Sequence, residues 1–213
     1  MAGMPRLFGA DYSVYVRIAR LVLTAKNVDY ELVPVDIFAK DGVPDWYPER
    51  HPFNRIPAFE HGLVRLYETI AITRYVDEAF DGPPLQPTAP AHRAVMNQVV
   101  GLLDAYAYRP LVWGVYVERV SKPKRGHSPD EALIATSLEQ ARTCLAALSA
   151  LKRNGQWLLG DQLTLADLHA ALMFACFVQA PEGQAMLSGQ PSLSGWWEGI
   201  QSLASMAATQ PSH

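Results

Sequence analysis

Three short stretches near the start of the chain bring together side chains able to do chemistry. In Leu66-Tyr67-Glu68-Thr69-Ile70-Ala71-Ile72-Thr73-Arg74-Tyr75 a carboxylate and a hydroxyl stand side by side where a helical pattern begins. With the unpaired N–H groups of a helix start, such a pair can receive an ammonium and a carboxylate from one ligand. The same two residue types also suit plain helix capping. His51-Pro52-Phe53-Asn54-Arg55-Ile56-Pro57-Ala58-Phe59 carries Ile56-Pro57, which alone reads as an edge-strand proline. Arg55 and Lys40 are nearby cations, able to pair with a ligand carboxylate or to stay solvated. Gly9-Ala10-Asp11-Tyr12-Ser13-Val14-Tyr15 offers three hydroxyls and no cysteine. Ser13 falls just before the first helical residue, so it can cap the helix or donate to an anion. Tyr12 and Tyr15 can donate as well.

The elements that must hold these residues follow from periodicity. Arg6-Leu7-Phe8 is strand-like and ends at Gly9, and Val14, Ile18, Leu21, Val22 and Ala25 share one helical face. Tyr30 to Val35 reads as a strand whose Pro34 puts it at a sheet edge. Ile56 to Phe59 and Leu63 to Leu66 flank Glu60-His61-Gly62, a hairpin signal, and Ile72, Tyr75, Val76 and Ala79 recur at helical spacing. The order is βαβ, a loop, then ββα. Asp81 to Pro90 carries four prolines and one glycine and marks a boundary. Beyond it the pattern is helical. Val95, Val99, Leu102, Leu103 and Tyr106 form one face and Ile134, Leu138, Ala141, Leu145 and Leu148 another, with a kink expected at Pro110. Thr164-Leu165-Ala166-Asp167 is a capping box serving folding, and the polar tail from Ser205 to His213 is expected to fray. The expected domains are 1–82, thioredoxin-like, and 91–213, all-helical, joined by a linker over 83–90.

Composition narrows the function. The 213 residues, 49% apolar, can bury a large core. A net charge of -3 without a basic stripe argues against nucleic acid. No apolar run reaches membrane-spanning length and the N-terminus lacks a signal-peptide pattern, so a cytoplasmic protein is expected. Cys144 and Cys176 sit in helical apolar patterns and are expected to be packing thiols. The six histidines show no metal-ligand spacing, and no metal is expected.

These motifs together resemble the cytosolic glutathione transferases over nearly the whole chain. The stretch around Ile56-Pro57 is similar to the family's NPxGxVPxL segment, with His51 for Asn and Asn54 for Gly. Leu66 to Tyr75 is similar to L-x-E-S-x-A-I-x-x-Y. Leu7 to Ser13 resembles the L-Y-G-x-x-x-S start of serine-type, phi-like members. The resemblance implies glutathione as co-substrate. Its cysteinyl backbone would pair with Ile56 at a cis Ile56-Pro57 bond, its γ-glutamyl end with Glu68 and Thr69, and its glycyl carboxylate with Arg55 or Lys40. Ser13, with Tyr12 and Tyr15 as alternatives, would donate to the thiolate.

It further implies a homodimer and an electrophile met by Tyr106, Arg109, Trp113 and Tyr116. An aromatic wall with one cation suits a flat apolar electrophile, one with a carboxylate or nitro group included. The enzyme reading is conjugation or another glutathione-dependent reaction. The alternative is a non-catalytic binding or regulatory protein of the same fold.

Overall fold

A computed structural model describes residues 3–211. The chain forms two compact units, one running to Pro84 and taking in the segment from Leu203 onward, the other Leu85–Ser202. The first contains β1 (Arg6–Phe8), α1 (Val14–Ala25), β2 (Glu31–Val33), β3 (Ala58–His61), β4 (Val64–Tyr67) and α2 (Thr69–Ala79). The sheet order is β2-β1-β3-β4. β1 runs parallel to β2 with Leu7 opposite Leu32, and antiparallel to β3 with Leu7 opposite Phe59. This is the thioredoxin-like βαβ-ββα arrangement. β2 lies at the edge, with Pro34 directly after it, because proline offers no ladder donor. Gly62 turns the β3–β4 hairpin at φ 59°, a left-handed value that suits a residue without Cβ.

Both faces of this sheet are covered, which is why Leu7 and Phe8, adjacent in sequence, are both buried. On one side α1 and α2 pack together through Ile18, Leu21, Val22, Ile72 and Val76. Each such side chain contributes about 1.5–3 kcal/mol by leaving water. The loop between β2 and β3 buries Tyr47 completely and sets Trp46 against Phe8, with ring centroids 5.9 Å apart. Lys26 ends α1 in a buried ion pair with Asp77 at 3.2 Å and also donates to the carbonyls of Gly82 and Pro83.

The second unit is all helix: α3 (Pro90–Leu102), two π-helical stretches (Leu103–Ala107 and Arg109–Ser121), the turn α4 (Lys122–Lys124), α5 (Glu131–Leu151), α6 (Leu165–Phe177), α7 (Pro181–Ser188) and α8 (Pro191–Gln201). Pro110, where a kink is expected from the sequence, lies inside π winding that already begins at Leu103. The N–H groups of Tyr108 and Lys122 bond carbonyls five residues back, at Leu103 and Val117. Wider winding tolerates a residue with no N–H and a bulky ring. The buried face runs through Met96, Val99, Val100, Leu103 and Ala107, one position away from the expected one, and Tyr106 is 69% exposed. The small Ala107, not the Tyr106 ring, meets the neighbouring helices. Gly114 in the second π-helical stretch lies so close to Ser137 of α5 that a Cβ there would overlap it.

α6 is buried almost all round and centres the unit. The expected capping box is present. Asp167 does more than cap. Its Oδ1 accepts from the Leu158 N–H at 2.7 Å and Trp196 Nε1 at 3.0 Å. Its Oδ2 accepts from the N–H and hydroxyl of Thr164. Burial raises the Asp167 carboxyl pKa, and these bonds oppose the rise.

Of the tail expected to fray, Ser205 to Gln210 instead docks within the first unit, while Ser212 and His213 lie outside the described residues. α9 (Ala204–Ala208) packs on α1, Thr209 is fully buried, and its carbonyl accepts from Arg17 Nε at 3.0 Å and Arg20 Nη1 at 3.1 Å. Two guanidinium donors on one carbonyl supply what the tail's composition lacks.

Candidate active site

Ser13 is the N-cap of α1, in extended backbone, and its Oγ accepts from the Val16 N–H at 3.5 Å. This bond uses a lone pair and leaves the hydroxyl proton free to donate. Capping and donation to an anion, which looked like competing roles, are therefore compatible. The loop before it is drawn tightly onto α1. The Gly9 N–H extends the β2 pairing to Val33 O at 3.0 Å, and a Cβ on Gly9, at φ 154°, would overlap Val16. Tyr12 is placed differently. Its hydroxyl donates to Asp36 Oδ1 at 2.6 Å. Burial, then the hydrogen bond and charge of Asp36, then the charge of Asp11 push its pKa well above the usual phenol value. Its proton is already committed. The Asp36 link, 24 residues away, was not visible in the sequence.

The Ile56-Pro57 bond is cis. Ile56 is buried and lies just ahead of β3, outside the paired register of that strand. Tyr47 donates its hydroxyl to Arg55 O at 2.6 Å, fixing the backbone next to it. Asn54 holds φ 51°, the left-handed value that its amide side chain tolerates where glycine is more usual. The Arg55 and Lys40 side chains are both exposed.

His51 is the residue that sequence reasoning undervalued. It is 3% exposed, its ring centroid is 4.9 Å from that of Tyr67, and its Nδ1 has no hydrogen-bond partner. Burial lowers its pKa, the Glu68 charge opposes that and Arg55 reinforces it, so His51 lies within the electrostatic reach of both. The signal was its place in the turn motif, but not its depth. A histidine whose folded pKa is depressed stabilises the fold fully above the unfolded value near 6.5, and that stability erodes as pH falls through the lower folded pKa. Denaturant midpoints recorded across this acid range should therefore slope downward in the wild type and flatten in His51→Asn.

At the start of α2, Glu68 occupies the N-cap position with φ 70° and ψ 118°, strained for a residue with a Cβ. Such backbone costs about 1–3 kcal/mol. Its carboxylate is exposed and makes no capping bond, so the side chain gains nothing for the helix. Thr69 beside it is buried. In the helical unit Tyr106, Arg109 and Trp113 are exposed and Tyr116 is half-buried. Cys144 and Cys176 are both buried, and burial raises the Cys144 thiol pKa.

A thioredoxin-like unit with a cis-proline turn is thus followed by an all-helical unit. The family model described as glutathione S-transferase, N-terminal domain, matches residues 7–84, and that for the C-terminal domain matches residues 92–204. Glutathione S-transferase F13 of Arabidopsis thaliana is 27% identical over 97% of this chain and 94% of its own. A glutathione S-transferase of Hyoscyamus muticus is 30% identical over 90% of each. Among solved structures, glutathione transferase F7 from Populus trichocarpa superposes with a TM-score of 0.83 at 28% identity, covering 97% of each chain. Apo glutathione S-transferase III gives a TM-score of 0.85 at 28% identity, covering 97% of this chain and 95% of that one. The chain belongs to the glutathione S-transferase family.

Proposed function

We propose that this enzyme, a glutathione transferase with glutathione as co-substrate, holds the peptide on its first unit and activates its thiol at Ser13. The observation that carries the binding half is Glu68. A strained, exposed carboxylate that does not cap its own helix, set against the buried Thr69, is explained by a ligand ammonium and carboxylate. The γ-glutamyl end lies there, Ile56 pairs with the cysteinyl backbone, and Arg55 or Lys40 takes the glycyl carboxylate. Anchoring at these points aims the sulfur at the Gly9–Ser13 loop. Ser13 donates its free proton to the thiolate while the α1 N-terminus adds a positive field. The thiolate attacks an apolar electrophile: a C–S bond forms, the leaving group departs with its electron pair, and the thiol proton passes to solvent.

Tyr106, Arg109, Trp113 and Tyr116 are proposed as substrate-binding residues, Tyr106 and Trp113 offering exposed rings. A cytoplasmic homodimer is the proposed assembly. The exposed Phe53 beside Tyr67 gives the first unit an apolar patch suited to a second copy. Retention on immobilised glutathione and turnover of a chlorodinitrobenzene-type substrate test the function together. The wild type should be retained and active, and Glu68→Ala and Thr69→Ala should each elute at about tenfold lower glutathione concentration or more. A wild type that neither binds nor turns over refutes it.

A further inference from the structure

α6, buried almost all round, carries one imidazole in the interior of the helical unit. His169 is 1% exposed, and its Nε2 meets Asp104 Oδ1 at 2.7 Å. An ionised carboxylate only accepts, so Nε2 carries the hydrogen. Asp104 is the second residue of the first π-helical stretch, Leu103–Ala107. Two residues on, the Tyr106 carbonyl accepts from Cys144 Sγ of α5 at 3.1 Å. The place where α winding gives way to π winding is thus bonded to two neighbouring helices. Of the two bonds, the one to the carboxylate is the stronger, because a thiol is a weak donor.

We infer that the Asp104–His169 bond sets the start of the π winding, and that these two residues act as positioning residues that decide which electrophiles the enzyme prefers. The inference rests on the reading of Tyr106, Arg109, Trp113 and Tyr116 as substrate-binding residues. π winding is rare and, where it occurs, often marks a functional site. It takes one more residue into each hydrogen-bonded turn than α winding, so side chains beyond Leu103 point away from their α-helical directions. An α-helix continued from α3 would put the Tyr106 ring on the face of Val99 and Leu103, both of which are buried. In the π-wound chain Tyr106 is 69% exposed. Loss of the Asp104–His169 bond lets α winding run on and withdraws that ring from the electrophile. Ser13 lies in the first unit, and thiol activation uses none of these groups.

The test compares two electrophiles that differ only in size, chlorodinitrobenzene and chlorodinitronaphthalene. In each, the C–S bond forms at the carbon that loses chloride, and the thiol proton passes to solvent. The ratio of their kcat/KM values cancels thiol activation, which is common to both. Asp104→Ala breaks the bond from its surface partner, without altering the α6 core. It should move this ratio about fivefold or more, chiefly through KM for the electrophile and in the same direction as Tyr106→Ala. His169→Leu should repeat the shift. Asp104→Asn, whose amide oxygen still accepts from His169, should stay within about twofold of the wild type. In a Tyr106→Ala background, Asp104→Ala should add nothing, because it acts through that ring. Additive effects overturn the positioning role, as does a ratio that Tyr106→Ala moves and Asp104→Ala does not, or an Asp104→Asn ratio shifted as far as that of Asp104→Ala. A ratio that Tyr106→Ala itself leaves unmoved overturns the substrate-binding reading beneath the inference, so the two failures are distinct.

Discussion

Asp167→Ala should lower the stability of the helical unit by about 4 kcal/mol, seen as an earlier transition in denaturant or heat. The residue is a folding device, remote in role from the chemistry. Its carboxylate collects four donors from three segments: Leu158 ahead of α6, Thr164 at its cap and Trp196 on α8. Alanine strands those donors in the interior, and each buried unpaired group costs about 1–3 kcal/mol before any relaxation. Removing one partner of a buried charged cluster falls in the range of about 3–5 kcal/mol. Asp167→Asn separates the contributions. Its amide oxygen can still accept from Leu158 and Trp196 in place of Oδ1. Its NH₂ then faces the Thr164 N–H, donor against donor. The asparagine variant should therefore lose about half as much. Equal losses in the two variants would place the stabilisation at Thr164 alone.

Ser13→Ala should reduce kcat/KM for a chlorodinitrobenzene-type substrate about 10- to 50-fold at mildly acidic pH, the α1 N-terminus retaining the rest of the effect. A free thiol with pKa near about 8.5 is mostly protonated there, and each unit of pKa lowering multiplies the thiolate about tenfold. One hydroxyl donor with a helix N-terminus is worth about one to two such units. The deficit should shrink as pH rises toward the free-thiol pKa, because the thiolate then forms unaided. Ser13→Ala also loses a cap, costing about 0.5–2 kcal/mol of stability. Ser13→Asp keeps an acceptor for Val16 but sets a carboxylate against the thiolate, so it should remain folded and be at least as inactive. Tyr12→Phe should cost less than about tenfold, because that phenol already donates to Asp36. A larger loss in Tyr12→Phe than in Ser13→Ala would transfer the role to the tyrosine.

The elements that hold the site were legible because local physics dictates them. The helical face from Val14, the Gly62 hairpin and the proline-marked edge of β2 rest on periodicity and on two residues with restricted or unusual backbone. Asn54 kept the turn because its side chain tolerates the left-handed region. Glu68-Thr69 was visible as a pair, but the backbone strain at Glu68, on which the proposed ligand role rests, is a property that residue types do not encode. What escaped the sequence is tertiary. Tyr12 finds Asp36 across 24 residues, Arg17 and Arg20 tie down a tail of unremarkable composition, and the buried His51 ring meets Tyr67 at the end of β4. The π winding from Leu103 onward likewise depends on helix packing, and with it the turn of Tyr106 toward solvent.

The claim that this fold activates a glutathione thiol is tested most directly by titrating the bound thiol itself. Ultraviolet absorbance of the thiolate, followed against pH in the wild type and in Ser13→Ala, reports its ionisation without any electrophile. The wild-type midpoint should lie about one to two units below the free value near about 8.5, and Ser13→Ala should return most of that shift. A bound thiol that ionises as it does in free solution, or one whose lowered midpoint survives in Ser13→Ala, would contradict the account.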